Sequence, residues 1–195
     1  VLRGSQGSMM GAGARAGLIA AQPQTPVKQT SASLAFGLES HGGERVEVVG
    51  NTALTDTLSV RAAHQTYQSD GWIDNTYLGV SDTSNRDEST TRISMRHSYA
   101  RDTVDVGVTR LSISNGYDAF SLDNTRETLS DEPGEDSLDF ISAFMRWRHE
   151  GAAYTSNLQV SRVDAEAIYS YDEDWSFVGI RPFWEYSSFD AYDRT

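Results

Sequence analysis

From Ser31 to Thr195 apolar and polar positions alternate in runs of roughly ten residues, each followed by a connector. In 89–99, Thr91, Ile93, Met95, His97 and Tyr99 fall on one face and Thr90, Arg92, Ser94, Arg96 and Ser98 on the other, because successive strand side chains point to opposite sides. A half-buried strand in water carries the same pattern. The connectors therefore decide what kind of sheet this is.

Connectors at 40–43, 51–56, 70–87, 100–102, 115–136, 149–151 and 168–185 predict eight antiparallel strands. The second, fourth and sixth are short and the third, fifth and seventh long; only the first breaks the alternation. Connectors of roughly twenty residues are uncommon inside compact soluble domains. Confined to one edge, they match strands that cross an outer membrane, with brief periplasmic turns and extended outer loops. Aromatic positions point the same way. Tyr99, Trp147 and Tyr154 flank short turns, while Tyr67, Trp72, Tyr117, Tyr169 and Trp175 stand where strands enter the long connectors, predicting a belt at each membrane interface. The competing explanation is strand-end aromatics packing a soluble sandwich.

Composition narrows this further. There is no cysteine, hence no disulfide framework, and no apolar run approaches the roughly twenty residues of a membrane helix. The long connectors 70–88, 115–136 and 168–185 carry -4, -6 and -3, which accounts for the whole net charge of -12 and leaves the rest of the chain about neutral. Acidic loops exclude a nucleic-acid partner, which needs a basic footprint. If Leu58, Val60, Ala62, Ile93, Met95, Ile141, Ala143 and Met145 face lipid, then Arg61, Arg92, Arg96, Arg146 and Arg148 face a lumen. The opposite register would put arginine against hydrocarbon at a cost of about 2–4 kcal/mol each at mid-depth. Such guanidinium groups serve either to contact an interior plug or an anionic solute, or as a solvated wall with local ion pairs.

The first thirty residues do not alternate. Val1 to Ile19 is rich in glycine and small residues, and Pro23 and Pro26 mark a linker. A phosphate-binding loop is excluded by the missing Lys-Ser/Thr pair and flanking strand and helix, and a signal peptide by the absent charged start, apolar core and cleavage site. The run Val1-Leu-Arg-Gly-Ser-Gln-Gly, followed by Gly11, Gly17 and Ile19, resembles the end of the plug domain of TonB-dependent outer-membrane receptors. Arg3, Gly4, Gln6, Gly7 and Gly11 stand at the motif positions. Ser5 replaces the usual proline, Gln24 a basic residue common before the closing proline, and Met10 a common aromatic. By this resemblance Met9 and Met10 lie at the plug apex, where solute would bind, and the loss of the aromatic argues against an aromatic binding platform. The segments 71–79, 85–88, 115–124 and 171–179 also look like loop signatures of one subgroup of these receptors.

The resemblance implies residues 1–28 as the end of a plug with its linker and 29–195 as the first third of a barrel of about 22 strands, making the chain a fragment. It further implies a receptor and transporter in the outer membrane of a Gram-negative bacterium. Its partners would be outer-membrane lipid, a small solute such as a metal chelate, and a TonB-type energy-coupling protein that engages a segment before the plug. Iron-siderophore is the commonest cargo, with cobalamin or oligosaccharide as other possibilities. A passive porin-like or adhesin-like barrel is the alternative, followed by a soluble all-β binding module. No enzyme activity, cofactor or metal is expected. The sequence 134–138, Gly-Glu-Asp-Ser-Leu, approaches an esterase motif but has an extra residue and no partner histidine. His41, His64, His97 and His149 lack zinc spacing. Asp172, Glu173 and Asp174 read as a solvated acidic tip rather than a calcium loop.

Overall fold

The period-two alternation builds one large antiparallel sheet. The structure is a computed structural model that describes residues 2–4, 17–18, 23–118, 120–178 and 184–189. It is mainly β, with no helix among the described residues. Two short strands, β1 (Leu2–Arg3) and β2 (Gly17–Leu18), pair with each other. The large sheet contains β3 (Ser31–Glu39), β4 (Gly43–Ala53), β5 (Leu58–Ser69), β7 (Arg86–Tyr99), β8 (Asp102–Tyr117), β10 (Gly134–Glu150), β11 (Thr155–Tyr171) and β12 (Trp184–Phe189). The two-residue strands β6 (Asp74–Asn75) and β9 (Glu127–Thr128) lie within long connectors.

Every neighbour in the sheet is also the next large strand in sequence, so the order is a simple up-and-down meander from β3 to β12. At one edge the links 54–57, 100–101 and 151–154 are all short; at the other, 40–42 is short and 70–85, 118–133 and 172–183 are long. Strands β7, β8, β10 and β11 are longer than the ten-residue repeat, at 14, 16, 17 and 17 residues. Their distal parts take residues expected in the connectors 115–136 and 168–185. There the outward positions become polar or charged (Arg110, Ser112, Ser114, Ser137, Asp139, Arg162, Asp164, Glu166), with Arg110 opposite Ile141 and Arg162 opposite Ala143, so the apolar rhythm fades while the backbone ladder continues.

Register sorts the side chains into two faces. Ala62 pairs with Ile93, Ile93 with Val108 and Val108 with Ala143; one step along, Val60, Met95, Val106, Met145 and Val160 form the next row. This apolar face is uncovered, with Leu34, Phe36, Leu38, Ile93, Ile141 and Val160 all about half exposed or more, and Ile73 is the one large apolar side chain buried among the described residues. The opposite face buries polar groups instead, including Asn51, Ser59, Ser94 and Asp105. A water-soluble sheet has the reverse arrangement, since burying apolar area is its main source of stability.

The apolar stretch also slants across the rows of paired residues. On β3, Leu34 and Phe36 stand in the rows that end on β11 at Asp164 and Glu166, whereas the adjacent apolar pair on that face of β11 is Leu158 and Val160. The stretch slips by roughly one residue per strand, which at about 3.3 Å rise and about 4.8 Å strand spacing inclines the strands about 35° to the band.

The aromatic positions divide by edge. Near the short links Tyr99 and Trp147 lie on the apolar face. Near the long links the register puts Tyr67, Tyr117 and Tyr169 on the polar face, not in the outward belt that spacing suggested. Their odd positions in β5, β8 and β11 share the parity of Arg61, Asp105 and Ser161, so strand pleat alone turns them inward.

Candidate functional site

The arginines picked out from alternation fall on one face. Arg61 lies opposite Asn51 and Ser94, Arg92 opposite Ala63 and Thr109, and Arg96 opposite Ser59 and Asp105. Arg146 lies opposite Asp105 and Gln159, and Arg148 opposite Thr103 and Asn157. Their roles then separate. Arg96 grips Asp105 through Nε–Oδ1 at 2.6 Å and Nη2–Oδ2 at 2.9 Å, and Arg148 pairs with Glu150 at 3.0 Å. Arg92 donates to Thr109 Oγ1 at 3.1 Å and Arg146 to Gln159 Oε1 at 3.3 Å. Among the described residues no ion pair engages Arg61, Arg92 or Arg146. The positive charge of these three is not neutralised by a described carboxylate within 4.0 Å.

The linker 23–30 is tied to this polar face by Asn51, a buried residue at the start of the expected connector 51–56 that the structure places in β4. Asn51 Oδ1 accepts the Val27 N–H at 3.0 Å, and Nδ2 donates to the carbonyls of Val27 at 2.9 Å and Gln29 at 2.6 Å. An asparagine can serve as donor and acceptor at once, so one side chain satisfies three backbone groups. Below this anchor, Pro23 and Gln24 roof a cavity of about 320 Å³ lined by Glu47, Arg61 and Arg92. A second cavity of about 170 Å³ lies beneath Thr25 and Pro26 against Asp105, Phe144 and Arg146. Gly107 makes room for the Phe144 ring, since a Cβ there would stand 2.5 Å from Cε1.

The long links gather into a cap. Strand β6 pairs in parallel with β9, and Leu129 bridges to Ser176, so links from three successive hairpins are joined. Asp118 is the hub. Its Oδ2 accepts from Asn75 Nδ2 at 2.9 Å, Thr83 Oγ1 at 2.8 Å and Thr128 Oγ1 at 2.8 Å. Aromatic contacts complete the cap, with Tyr117 on Tyr169 at 4.8 Å, Phe120 stacked on Trp175 at 5.0 Å and Tyr77 stacked on Phe177 at 4.9 Å. On its surface Asp123 is held below the usual carboxylate range by the hydrogen bond from Thr125. Nothing in the linear sequence marks Asp118, because its three donors come from residues up to 43 positions away.

Of the proposed plug positions, Arg3 belongs to β1 and Gly4 follows it at φ 85°, a conformation that glycine adopts without strain. Gln6, Gly7, Met9, Met10 and Gly11 lie outside the described residues. Comparison with protein-family models, curated proteins and solved structures finds no match for this chain.

Proposed function

We propose that this chain supplies the plug end and a run of barrel strands of a TonB-dependent outer-membrane receptor, which binds a scarce solute at its outer loops and plug and imports it by energy-coupled plug movement. The observation that carries this reading is the inverted sheet: an uncovered apolar face backed by a polar face with buried ion-paired and hydrogen-bonded groups. In lipid that arrangement is stable, because hydrocarbon covers the outward side chains and antiparallel pairing satisfies the backbone between neighbouring strands. The slant of the apolar band agrees with the roughly 35–45° tilt of barrel strands. On this reading the cap lies outside and the 100–101 and 151–154 turns lie in the periplasm, a reading supported by the alternation of short and long links.

On this reading the row containing Arg61, Arg92 and Arg146 faces the lumen, and the linker 23–30 runs down its wall from the plug. Iron-siderophore is the first solute to test, followed by cobalamin and oligosaccharide; no covalent chemistry is involved. A passive porin-like wall gives no role to a linker anchored on the lumen face by Asn51.

Residues 1–195 contain no cysteine, so a cysteine introduced among them is unique within this stretch. Single cysteines at Leu122 and at Ala152, placed in the full-length protein, are treated with a membrane-impermeant maleimide on intact cells. Labelling at Leu122 alone, with Ala152 reacting only after permeabilisation, is expected. Reversed labelling would overturn the orientation, and recovery of the protein in the soluble fraction would overturn the membrane reading. Uptake of a ferric siderophore that survives an uncoupler of the proton gradient would remove the energy-coupled step.

A further inference from the structure

The uncovered apolar band ends differently at its two borders. Toward the cap, the first outward residue past the band is His64 on β5, Thr91 on β7, Arg110 on β8, Asp139 on β10 and Arg162 on β11. Toward the short turns the outward positions are His97, Tyr99, Asp102, Trp147 and His149, and no lysine or arginine stands on that border of these strands. Arg110 is exposed, and among the described residues no ion pair engages it. An open groove of about 250 Å³ runs from it across β10 to β11, bounded by Asp139, Ile141, Asp164 and Glu166. Arg162 is also exposed and lies opposite Ala143, in the row of Val108. It is thus two strands across and two residues along from Arg110, which puts their Cα atoms about 12 Å apart. Arginine can lay its stem on apolar surface and keep its guanidinium in the polar layer above, where a phosphate takes it bidentately.

We propose that this border is a docking surface for a glycolipid whose disaccharide headgroup carries a phosphate at each end, Arg110 taking one phosphate and Arg162 the other. The proposal rests on the membrane reading of the apolar face. Three observations select this occupant. The arginines stand at one border only, so the partner belongs to one leaflet; a phospholipid present in both would be met by cations at both. Their separation of about 12 Å matches two sugar units with terminal phosphates and exceeds the reach of a single phosphodiester. The groove beside Arg110 is walled by carboxylates, which accept hydrogen bonds from sugar hydroxyls and repel a headgroup that is anionic throughout. The acyl chains of such a lipid lie along Val108, Ala143 and Val160, the outward residues next to the two arginines.

The test uses the full-length protein, delipidated in detergent. Diphosphoryl lipid A, monophosphoryl lipid A and phosphatidylethanolamine are added separately, and bound lipid is counted by native mass spectrometry. The wild type should retain diphosphoryl lipid A about tenfold better than either of the others, the advantage of a second charge-assisted contact to phosphate. Arg110→Gln and Arg162→Gln should each lower that retention roughly tenfold and bring the two lipid A forms level, because one arginine can use only one phosphate. Heat-modifiable migration like that of the wild type verifies that these variants fold. Arg126→Gln removes the same charge from the cap, where Arg126 lies over the Trp72 ring at 5.8 Å, and should leave retention unchanged. Equal retention of all three lipids by the wild type, a comparison that needs no variant, would overturn the docking surface and leave the membrane reading standing. So would undiminished retention in the double variant Arg110→Gln/Arg162→Gln. A wild type that stays in solution without detergent would overturn both.

Discussion

Arg96 and Asp105 face each other across the β7–β8 pair, and two hydrogen bonds of 2.6 and 2.9 Å join them in a bidentate grip. Asp105 is 5% exposed and, although it stands opposite Arg146 on β10, its carboxylate is gripped by Arg96 alone. Arg96→Gln should therefore destabilise the protein by about 1–3 kcal/mol, the cost of leaving a buried charged acceptor poorly satisfied. Arg92→Gln, which loses only a hydrogen bond to Thr109, should cost about 1 kcal/mol or less. Denaturant unfolding in detergent measures both. The double variant Arg96→Gln/Asp105→Asn should recover part of the loss, and strict additivity would mean that the pair is not coupled.

On the opposite face the sign of the effect changes. Arg introduced at Ile93 or Met95 puts a guanidinium into the apolar band and should cost about 2–4 kcal/mol at mid-depth, seen as reduced heat-modifiable protein in outer-membrane fractions. Arg92→Gln should assemble normally. Equal losses for both faces would mean that the register is assigned to the wrong sides.

Two glycines make contrasting controls for backbone approach. A Cβ on Gly134 would stand 1.9 Å from the Ser170 carbonyl oxygen, a backbone atom that cannot swing away, whereas Gly50 has nothing within 4 Å. Gly134→Ala should lower stability by about 1–3 kcal/mol through forced separation of β10 and β11. Gly50→Ala should be near neutral. Trypsin resistance of the two variants at matched temperature distinguishes them.

Among the described residues the large sheet is open, with β3 and β12 each paired on one side only. Residues 1–195 expressed alone thus present two unpaired edges and an uncovered apolar face. Aggregation, or heterogeneous β-structure in detergent, is the expected result. A monodisperse, heat-resistant monomer with dispersed amide resonances would show that these strands close into a small barrel on their own.

Alternation along the chain was enough to specify the sheet and its two faces. Strand side chains alternate with a period of two, so Ile93 and Met95 had to lie opposite Arg92 and Arg96, and the connector lengths alone separated the two edges of the meander. It also put Arg61, Arg146 and Arg148 on the arginine face before any pairing was known. Tertiary structure decided what those residues meet. Whether Arg96 is a free charge or the partner of Asp105 depends on β7–β8 register, and Asn51 becomes the linker's anchor only once β4 lies under residues 27–29. The inward turn of Tyr117 and Tyr169 became clear only when their strands proved longer than the apolar rhythm. Asp172 read as a solvated tip because local sequence is acidic and polar; folding buries it against Ser130 and Asp118, more than forty positions away. Periodicity is a local property of the chain, whereas ion pairs, anchors and cavities arise from contacts between distant segments that only the paired sheet brings together.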